Sequence, residues 1–598
     1  MSVGEWLDER LGHRALLQRL MDHEIPGGAR WAYVFGSAIT FALAIQIVTG
    51  LALMTAYSPG TATAWASVHF ITHNLPAGWV LRGMHHWGSQ AMIVLLGAHL
   101  LQTGLFGAYR RPRELNWYFG LALLGLTFAL SQTGTLLPAD QKGYWATRVD
   151  TNIAGTSPVI GGVLQRLILG GADYGSLTLT RFYALHVALL PLAMIALTVL
   201  HVAVFRKHGV TPPHGVRAPT QAFFPRQAAL DLAGGMVVLA AVLALTLRAH
   251  GAPLDAPADP TSDYPARPEW YFMSLFELRK LVHGPLETPV ILATPAVVGG
   301  YLALLPVIDR SGTNALRGRL AALSPLLVGF AGMLAMLALA LAQDGKDAKY
   351  QAARAEADAS ARTASVIAMG GVPVEGPLYM LAHDPELRGR ALFKKSCAPC
   401  HVLGDLGDAK KATGPALDGW GTEAWVASMM DDPDAPDRFG HTPFKTMMPS
   451  MLRPAPDRKP EDGPFKPMPE TDIKAVAVFL ASRSDGLEST KPPVRDAHDL
   501  EAGEKIVSVR CTTCHLWKGD GDDASQGYAP ELSAWGTAAW VSAQIANPAT
   551  KATYRESALD PKMKHHMPRF DGDLPAADIE LLARWTTAHS HGRKLPRP

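Results

Sequence analysis

Apolar positions are distributed unevenly along this chain. Seven long runs with few or no charges fall at about 31–56, 83–107, 115–137, 182–205, 229–247, 288–308 and 320–343, and nothing after residue 345 repeats that pattern. Each run is long enough to cross a hydrocarbon layer of about 30 Å as a helix. The first is too long and starts too late for a cleaved signal peptide. Before it, residues 1–30 set Trp6, Leu7, Leu11, Leu16, Leu17 and Leu20 among charges, the pattern of a helix lying on a membrane surface. After the last run, residues 346–375 are Ala-rich and charged and lead into GGVPVEGP (370–377), which predicts an exposed helix and then a stiff linker.

Two of the runs contain side chains that lipid tolerates poorly. RGMHHWGSQAMIVLLGAHLLQ (82–102) keeps His85 and His99, fourteen positions apart; RFYALHVALLPLAMIALTVLHVAVFRK (181–207) keeps His186 and His201, fifteen apart. At about 100° per residue, fourteen steps return to within about 40° of the start and rise ~21 Å. His86 lies roughly 140° from His99, so helix geometry selects His85. Fifteen steps leave an offset of about 60°, which a bend at Pro191 would partly correct. The four histidines therefore pair as His85 with His186 near one surface and His99 with His201 near the other, the ligand set of two bis-histidine haems. The alternative, four histidines each satisfied by a backbone carbonyl or a neighbour, is disfavoured by the doubled spacing and the cost of polar groups in lipid. Gly36 and Gly50 in the first run, and Gly120 and Gly134 in the third, repeat the fourteen-residue interval. Glycine admits a bulky group, such as a macrocycle, to a helix backbone, or lets helices approach closely. With two histidine pairs beside them, a four-helix cage around stacked haems is the better reading. Arg82 stands just outside His85, where it could pair with a propionate.

Charge and cysteine usage add direction. A net charge of +2 over 598 residues argues against a nucleic-acid partner. With the N-terminus cytoplasmic, segments 1–30, 108–115, 206–227 and 309–319 hold 14 Lys+Arg in 71 residues, against 9 in 110 for 57–82, 138–181 and 248–287. That bias favours this orientation and places the C-terminal part outside. The C-terminal part repeats itself: CAPCH (397–401) answers CTTCH (511–515), WGTEAWVASM (420–429) answers WGTAAWVSAQ (535–544), and MMPSM (447–451) answers HMPRF (566–570). CxxCH is the c-type haem attachment motif, with two thiols for the vinyl groups and a histidine for the iron. Cys397, Cys400 and His401 thus form one set, Cys511, Cys514 and His515 the other. Alignment of the repeats selects Met448 and Met567 as sixth ligands, with Met447, Met451 and Met468, or His565 and His566, as competitors. Trp420 and Trp535 read as ordinary core.

By QIVTG (46–50), TRFYALH (180–186) and PEWYF (268–272), the first 345 residues resemble the cytochrome b of quinol–cytochrome c oxidoreductases. LPADQKGYWA (137–146), the fifteen-residue histidine spacing and the absence of an eighth span resemble the plastoquinol-oxidising branch, which divides these helices between two polypeptides. Val34 stands where that branch has a cysteine for an additional covalent haem, and Ala139 replaces a tryptophan usual in the loop. In PEWYF a carboxylate sits beside two aromatic rings at a membrane edge. The resemblance implies that Glu269 accepts a quinol proton and that Tyr271 is its hydrogen-bonding neighbour; composition alone would give an interfacial aromatic belt. For a second quinone site only Arg206 and Lys207 stand out, and they also serve as topology signals.

These readings predict an all-α chain: a seven-helix transmembrane haem-binding bundle (1–345), a linker (346–380), and two small cytochrome c domains (381–490 and 491–598). The resemblance implies a bacterial inner-membrane subunit of a homodimeric complex with two non-covalent b haems and two covalent c haems. Membrane quinol would be oxidised at the outer face. One electron would cross the b haems to a cytoplasmic-side quinone site, and the other would reach an outer acceptor such as a cytochrome c, with proton translocation. No sequence motif supplies a Rieske iron–sulfur centre, so a separate Rieske protein is the expected partner. The rival function is a membrane anchor and electron wire for another dehydrogenase, without quinol chemistry of its own.

Overall fold

The computed structural model describes residues 1–598 except 158, 172, 217–218, 283, 441, 443–444, 446, 454–466, 485–492, 522–528, 551, 555–566 and 596–598. The chain is all-α; among the described residues the single sheet pairs the two-residue strands β1 (Glu24–Ile25) and β2 (Gln221–Ala222). It divides into two compact units, Met1–Met380 and Leu381–Pro598.

The first unit opens with α1 (Val3–Leu11) and α2 (His13–Met21). A capping box between Ser2 and Glu5 starts α1, and Trp6 and Leu11 stay exposed, as a surface-lying helix requires. The side chains of Leu16, Leu17 and Leu20 lie outside the described ones. Then follow α3 (Val34–Met54), α4 (Ala64–His73), α5 (Gly78–Phe106), α6 (Glu114–Leu136), α7 (Gln141–Gly155) and α8 (Gly161–Leu169). Next, α9 (Ser176–Ala184) and α10 (Leu190–His208) are joined by a π turn at Leu185–Leu189. The unit continues through α11 (Arg226–Arg248), α12 (Met273–Leu281), α13 (Glu287–Ile308), α14 (Leu316–Lys346) and α15 (Ala348–Ala368). Seven helical stretches among the described residues are long and apolar enough to cross a membrane, matching the seven apolar runs. Val48, Val94, Leu192, Val199 and Val237 are exposed on their outer faces, where lipid is the solvent.

Helix pairing sets the bundle: α3 packs on α5 and α11, and α6 packs on α10. Val34, Ala38, Ala42, Met92, Met194, Val238 and Val242 form the core between them. Small residues on α3 let these helices approach closely. At one end of the bundle Arg319 is fully buried and bonded to Asp309 (3.0 Å), to the Tyr109 hydroxyl (2.7 Å) and to the Leu105 and Gly104 carbonyls (2.9 and 2.5 Å). A buried cation needs such partners, so this arginine clamps α5 to α14. At the other end the start of α7 is stitched to the 253–258 loop. Gln141 N donates to Ala256 O (2.9 Å) and Ala258 N to Ala139 O (3.0 Å). The Trp65 indole donates to Asp255 O (2.8 Å). The charged helix predicted after the last run is α15, and it is not free. Ala364 and Ala368 are buried, and Ser365 bonds His69 of α4 through its hydroxyl (3.2 Å).

The second unit contains α17 (Pro385–Ser396), α18 (Glu423–Asp431), α19 (Glu470–Ser484), α20 (Ala497–Arg510), α21 (Ala538–Ala546) and α22 (Ala576–Ser590), after α16 (Pro377–His383) at the junction. Asp384, Thr422, Asp496 and Thr537 cap α17, α18, α20 and α21, the equivalent helices of the two repeats. The packing crosses the boundary between the repeats. Helix α17 lies against α22, and α20 against α19, while α18 packs on α19 and α21 on α22.

Candidate haem and quinol sites

Each histidine of the bundle is set by a glycine on the neighbouring helix. A β-carbon at Gly50 would lie 3.2 Å from His85, at Gly36 3.7 Å from His99, at Gly134 2.7 Å from His186, and at Gly120 3.4 Å from His201. Each of these glycines thus faces the imidazole edge of one histidine, Cε1 being the nearest side-chain atom. The remaining ring nitrogens are held as well. Nδ1 of His85 meets Thr49 Oγ1 (3.0 Å), Nδ1 of His186 meets Leu130 O (3.0 Å) and Thr133 Oγ1 (3.1 Å), and Nδ1 of His201 meets Asn116 O (3.0 Å). His99 Nδ1 meets the Gln102 amide oxygen at 3.1 Å. Fixing Nδ1 in this way presents Nε2 as a ligand.

The offset of the fifteen-residue spacing is absorbed by the π turn. His186 lies inside it, and Leu190 N bonds Leu185 O, five residues back. A π turn accommodates one extra residue, so the interval to His201 behaves as fourteen. Pro191, which has no N–H to donate to the carbonyls of the turn behind it, follows after Leu190.

The His85 and His186 rings stand 6.2 Å apart, centroid to centroid. Two metal–imidazole bonds of about 2 Å plus roughly 1 Å from each nitrogen to its ring centre span about 6 Å. The pair thus has the spacing for one six-coordinate iron between them. His99 and His201 lie further along the same two helices, each facing a glycine of a neighbouring helix, Gly36 and Gly120. His86 is set aside against Trp87, with ring centroids 4.9 Å apart. Arg82 directs its guanidinium to Ala252 O (2.8 Å) and Pro253 O (2.5 Å).

The PEWYF segment reaches α6 and α5 close to this first pair. The Tyr271 hydroxyl bonds Ser131 of α6, three residues from Gly134. Trp270 Nε1 donates to Gln90 of α5 (2.6 Å). Glu269 is mostly buried and forms an ion pair with Lys142 of α7 at 2.7 Å. Lys142 escaped the sequence reading, although it lies in the LPADQKGYWA loop. Burial pushes the Tyr271 phenol up, so it stays a neutral donor and acceptor. At the N-cap of α7, burial and the neighbouring Asp255 push Asp140 up to about 6, against the backbone N–H of Gly143 and of Asp255, from which it accepts at 2.9 and 3.2 Å.

In the second unit the four cysteines form no disulfide. Burial pushes Cys397 up to about 12 and Cys511 up to about 11. His401 Nδ1 meets Pro415 O and His515 Nδ1 meets Pro530 O, both at 2.8 Å. Burial lowers both histidines, keeping each imidazole neutral and able to ligate. Met567 is half-buried, with the Gln544 amide 3.6 Å from its sulfur. Met448 is half-buried and Met447 exposed, while Met451 and Met468 share a backbone bond of 2.7 Å. His565 and His566 lie outside the described residues. Trp535 is buried in the core of this unit and Trp420 packs against that core, their ring centroids 5.1 Å apart.

Comparison with known proteins agrees with this geometry. The family described as Cytochrome b/b6/petB matches residues 20–209, and the Cytochrome c family matches residues 387–484 and 500–586. A menaquinol:cytochrome c reductase cytochrome b subunit of Bacillus subtilis (strain 168) is 38% identical over 220 residues, 36% of this chain and 98% of that one. Cytochrome b6 of Chlamydomonas reinhardtii is 34% identical over 212 residues, 36% of this chain and 99% of that one. Among solved structures, a chain of a hyperthermophilic respiratory Complex III aligns with a TM-score of 0.52 and 25% identity, over 63% of this chain and 99% of that chain.

Proposed function

Because this chain belongs to the cytochrome b/b6 family, as the b subunit of a quinol–cytochrome c oxidoreductase with cytochrome c domains following it, we propose that it holds two b haems and two c haems and oxidises membrane quinol beside the His85–His186 pair. The haems supply one-electron transfer in both directions away from that site: across the bundle to a quinone site near the His99–His201 end, and outward to an acceptor such as a cytochrome c.

The chain's own residues divide the remaining work. His85 with His186, and His99 with His201, hold the b haems; Cys397, Cys400 and His401, and Cys511, Cys514 and His515, hold the c haems, with Met448 and Met567 as sixth ligands. Gly36, Gly50, Gly120 and Gly134 make room for the imidazoles. Arg82 fixes the 252–253 loop over the His85 end and is also placed to meet a propionate. Tyr271 offers its hydroxyl to the quinol, and Glu269 receives a proton and passes it outward past Lys142. A quinol loses two protons with its two electrons, so an acid–base group at the pocket mouth is required. The N-terminus is then cytoplasmic and the c domains periplasmic in a bacterial inner membrane, and quinol oxidation on the outer side translocates protons. The complex works as a homodimer with a separate Rieske iron–sulfur protein.

The observation that carries this reading is the convergence of PEWYF on α5 and α6. Trp270 and Tyr271 bond Gln90 and Ser131, residues of the two helices whose His85 and Gly134 define the first pair. An electron wire would need no such contacts. Quinol-driven reduction of the b haems in the purified complex is the test; absence of reduction by quinol in an active-haem preparation would leave the wire.

A further inference from the structure

We propose that both c-type sites are composite, each haem being attached by one repeat and completed by the other: Met567 is the sixth ligand of the iron bound by His401, and Met448 that of the iron bound by His515. This rests on the reading above that both CxxCH motifs carry haem.

A cytochrome c repeat has two halves. The first is an N-terminal helix running into CxxCH; the second carries the methionine and the C-terminal helix. In this chain the halves exchange partners. Helix α17, which runs into Cys397, packs on α22 of the second repeat. A β-carbon at Gly389 would lie 2.4 Å from the Trp585 ring, and Phe393 meets that ring at 5.4 Å. Arg388 pairs with Asp578 (2.8 Å), and Glu386 accepts from His589 (2.6 Å) and from Leu595 N (3.2 Å). The reciprocal packing repeats the glycine contact at the equivalent position, and its other contacts use different positions. Helix α20, which runs into Cys511, packs on α19 of the first repeat. A β-carbon at Gly503 would lie 2.2 Å from Ala475 O and 2.6 Å from Phe479. Phe479 meets Trp517 at 5.6 Å, Arg483 lies over the same indole at 5.1 Å, and Lys474 pairs with Asp499 (2.8 Å).

Each methionine travels with its own C-terminal helix. Phe570 N donates to Ala546 O (3.0 Å) and Gln544 reaches Met567, so the Met567 segment hangs from α21, which packs on α22. Met451 N donates to Met430 O and Met468 N to Met451 O, both at 2.7 Å, so the Met448–Met451 segment hangs from α18, which packs on α19. Following the contacts, Met567 belongs with α17 and His401, and Met448 with α20 and His515.

The crossing point is the repeated Trp-Gly-Thr. Gly421 and Gly536 both have φ of 82°, where a β-carbon is strained, and in both it would press on Ser484, at 3.1 and 3.3 Å. Ser484 Oγ donates to Gly421 O (2.6 Å), Gly419 N donates to Ser590 O (2.8 Å), and the Trp420 and Trp535 rings meet at a tilt, 5.1 Å between centroids. The two strands of chain pass each other here, pinned by the ends of α19 and α22.

The full-length complex gives the test. In a Cys511→Ser/Cys514→Ser background, only the His401 haem remains. Met567→Ala should then abolish the methionine-to-ferric-iron charge-transfer absorption, and Met448→Ala should leave it. In the Cys397→Ser/Cys400→Ser background the sensitivities should exchange. Loss of the band on Met448→Ala in the first background, with Met567→Ala silent, overturns the proposal. Absence of covalent haem from the unsubstituted complex would instead overturn the underlying assignment of the motifs. Thermal unfolding of Arg388→Asp, Asp578→Arg and the double variant, each with both haems, is an independent check. The double variant should recover most of the loss in midpoint seen in the singles; a double variant no better than their sum overturns the swap.

Discussion

Alanine at Gly134 should weaken b-haem binding at the His85–His186 pair by about five- to thirtyfold, whereas alanine at Gly36 should not. The perturbation is a single methyl group in each case, and the structure grades it. At Gly134 the new carbon would fall 2.7 Å from Cε1 of His186, closer than packed carbons come, while at Gly36 it would fall 3.7 Å from His99, an ordinary contact. His186 has little room to retreat. Its Nδ1 is held by Leu130 O at 3.0 Å and Thr133 Oγ1 at 3.1 Å, and each bond given up costs about 1 kcal/mol. Overpacking of this kind costs roughly 1–3 kcal/mol, against a gain of up to about 1 kcal/mol from replacing glycine by alanine within a helix. The net at Gly134 is a loss of about 1–2 kcal/mol, a five- to thirtyfold shift against the bound state. At Gly36 only the helical gain remains. Gly50 at 3.2 Å and Gly120 at 3.4 Å fall between these two. Because c haems are covalent, the ratio of b-type to c-type absorbance in reduced-minus-oxidised spectra gives occupancy with an internal standard. The expected order of loss is Gly134, Gly50, Gly120, Gly36. Equal loss at Gly36 and Gly134 would refute the argument, because it would mean the glycines admit the macrocycle itself, whose contacts do not follow these distances.

Acid–acetone should extract half the haem of the purified chain and leave the other half on the denatured polypeptide; one covalent haem, or none, would contradict the two CxxCH assignments. His201→Ala should remove one b haem and leave the c spectrum, whereas His86→Ala should leave both b haems, as difference spectra will report. Glu269→Gln should keep haem content and potentials but slow quinol-driven b-haem reduction on the order of tenfold or more, with an altered pH profile; an unchanged rate and profile would remove Glu269 from the proton route. Asp140, raised from 3.8 to about 6 by burial, favours its protonated form in the folded protein, so its contribution is present below pH 3.8 and lost as pH rises through about 6. Between those values thermal stability of the wild type should fall relative to Asp140→Asn, and parallel curves would contradict the burial argument.

Much of the bundle was legible because lipid imposes a simple code. Apolar runs of sufficient length became α3, α5, α6, α9–α10, α11, α13 and α14, and the intervals between polar exceptions gave the histidine pairs. What the intervals could not reveal was local: the fifteen-residue spacing contained Pro191 as a hint of bending, but the π turn depends on which carbonyls find partners. Arg319 illustrates a different blindness. In the sequence it counts as one more positive charge at the cytoplasmic end; in the fold it is fully buried against Asp309 and Tyr109. Lys142 likewise became meaningful only when α7 brought it to Glu269. The exchange of halves in the second unit was illegible for a stronger reason. The two repeats offer nearly the same glycine, aromatic and methionine at each position, so the pattern is satisfied equally whichever copy a helix packs against.

One turn of α6 explains why the quinol pocket and the first haem pair are a single structure. Leu130 O and Thr133 Oγ1 hold His186 Nδ1, and Gly134 leaves the room in which the His186 ring stands. Between them, Ser131 bonds the Tyr271 hydroxyl. Ser131 is one residue from Leu130 and two from Thr133, so it points to a different face of the same turn, and the group that orients the phenol is joined to the groups that orient the imidazole by helix backbone alone. The distance between quinol-facing chemistry and iron ligand is then set by helix geometry, not by a loop. Lys142 and Glu269 sit on the other side of that arrangement, on α7 and the segment leading to α12. On the proposed reading a proton would leave past Glu269 and Lys142, which lie on different elements from α6, so the proton route and the electron route through the His186 end of α6 would be separate.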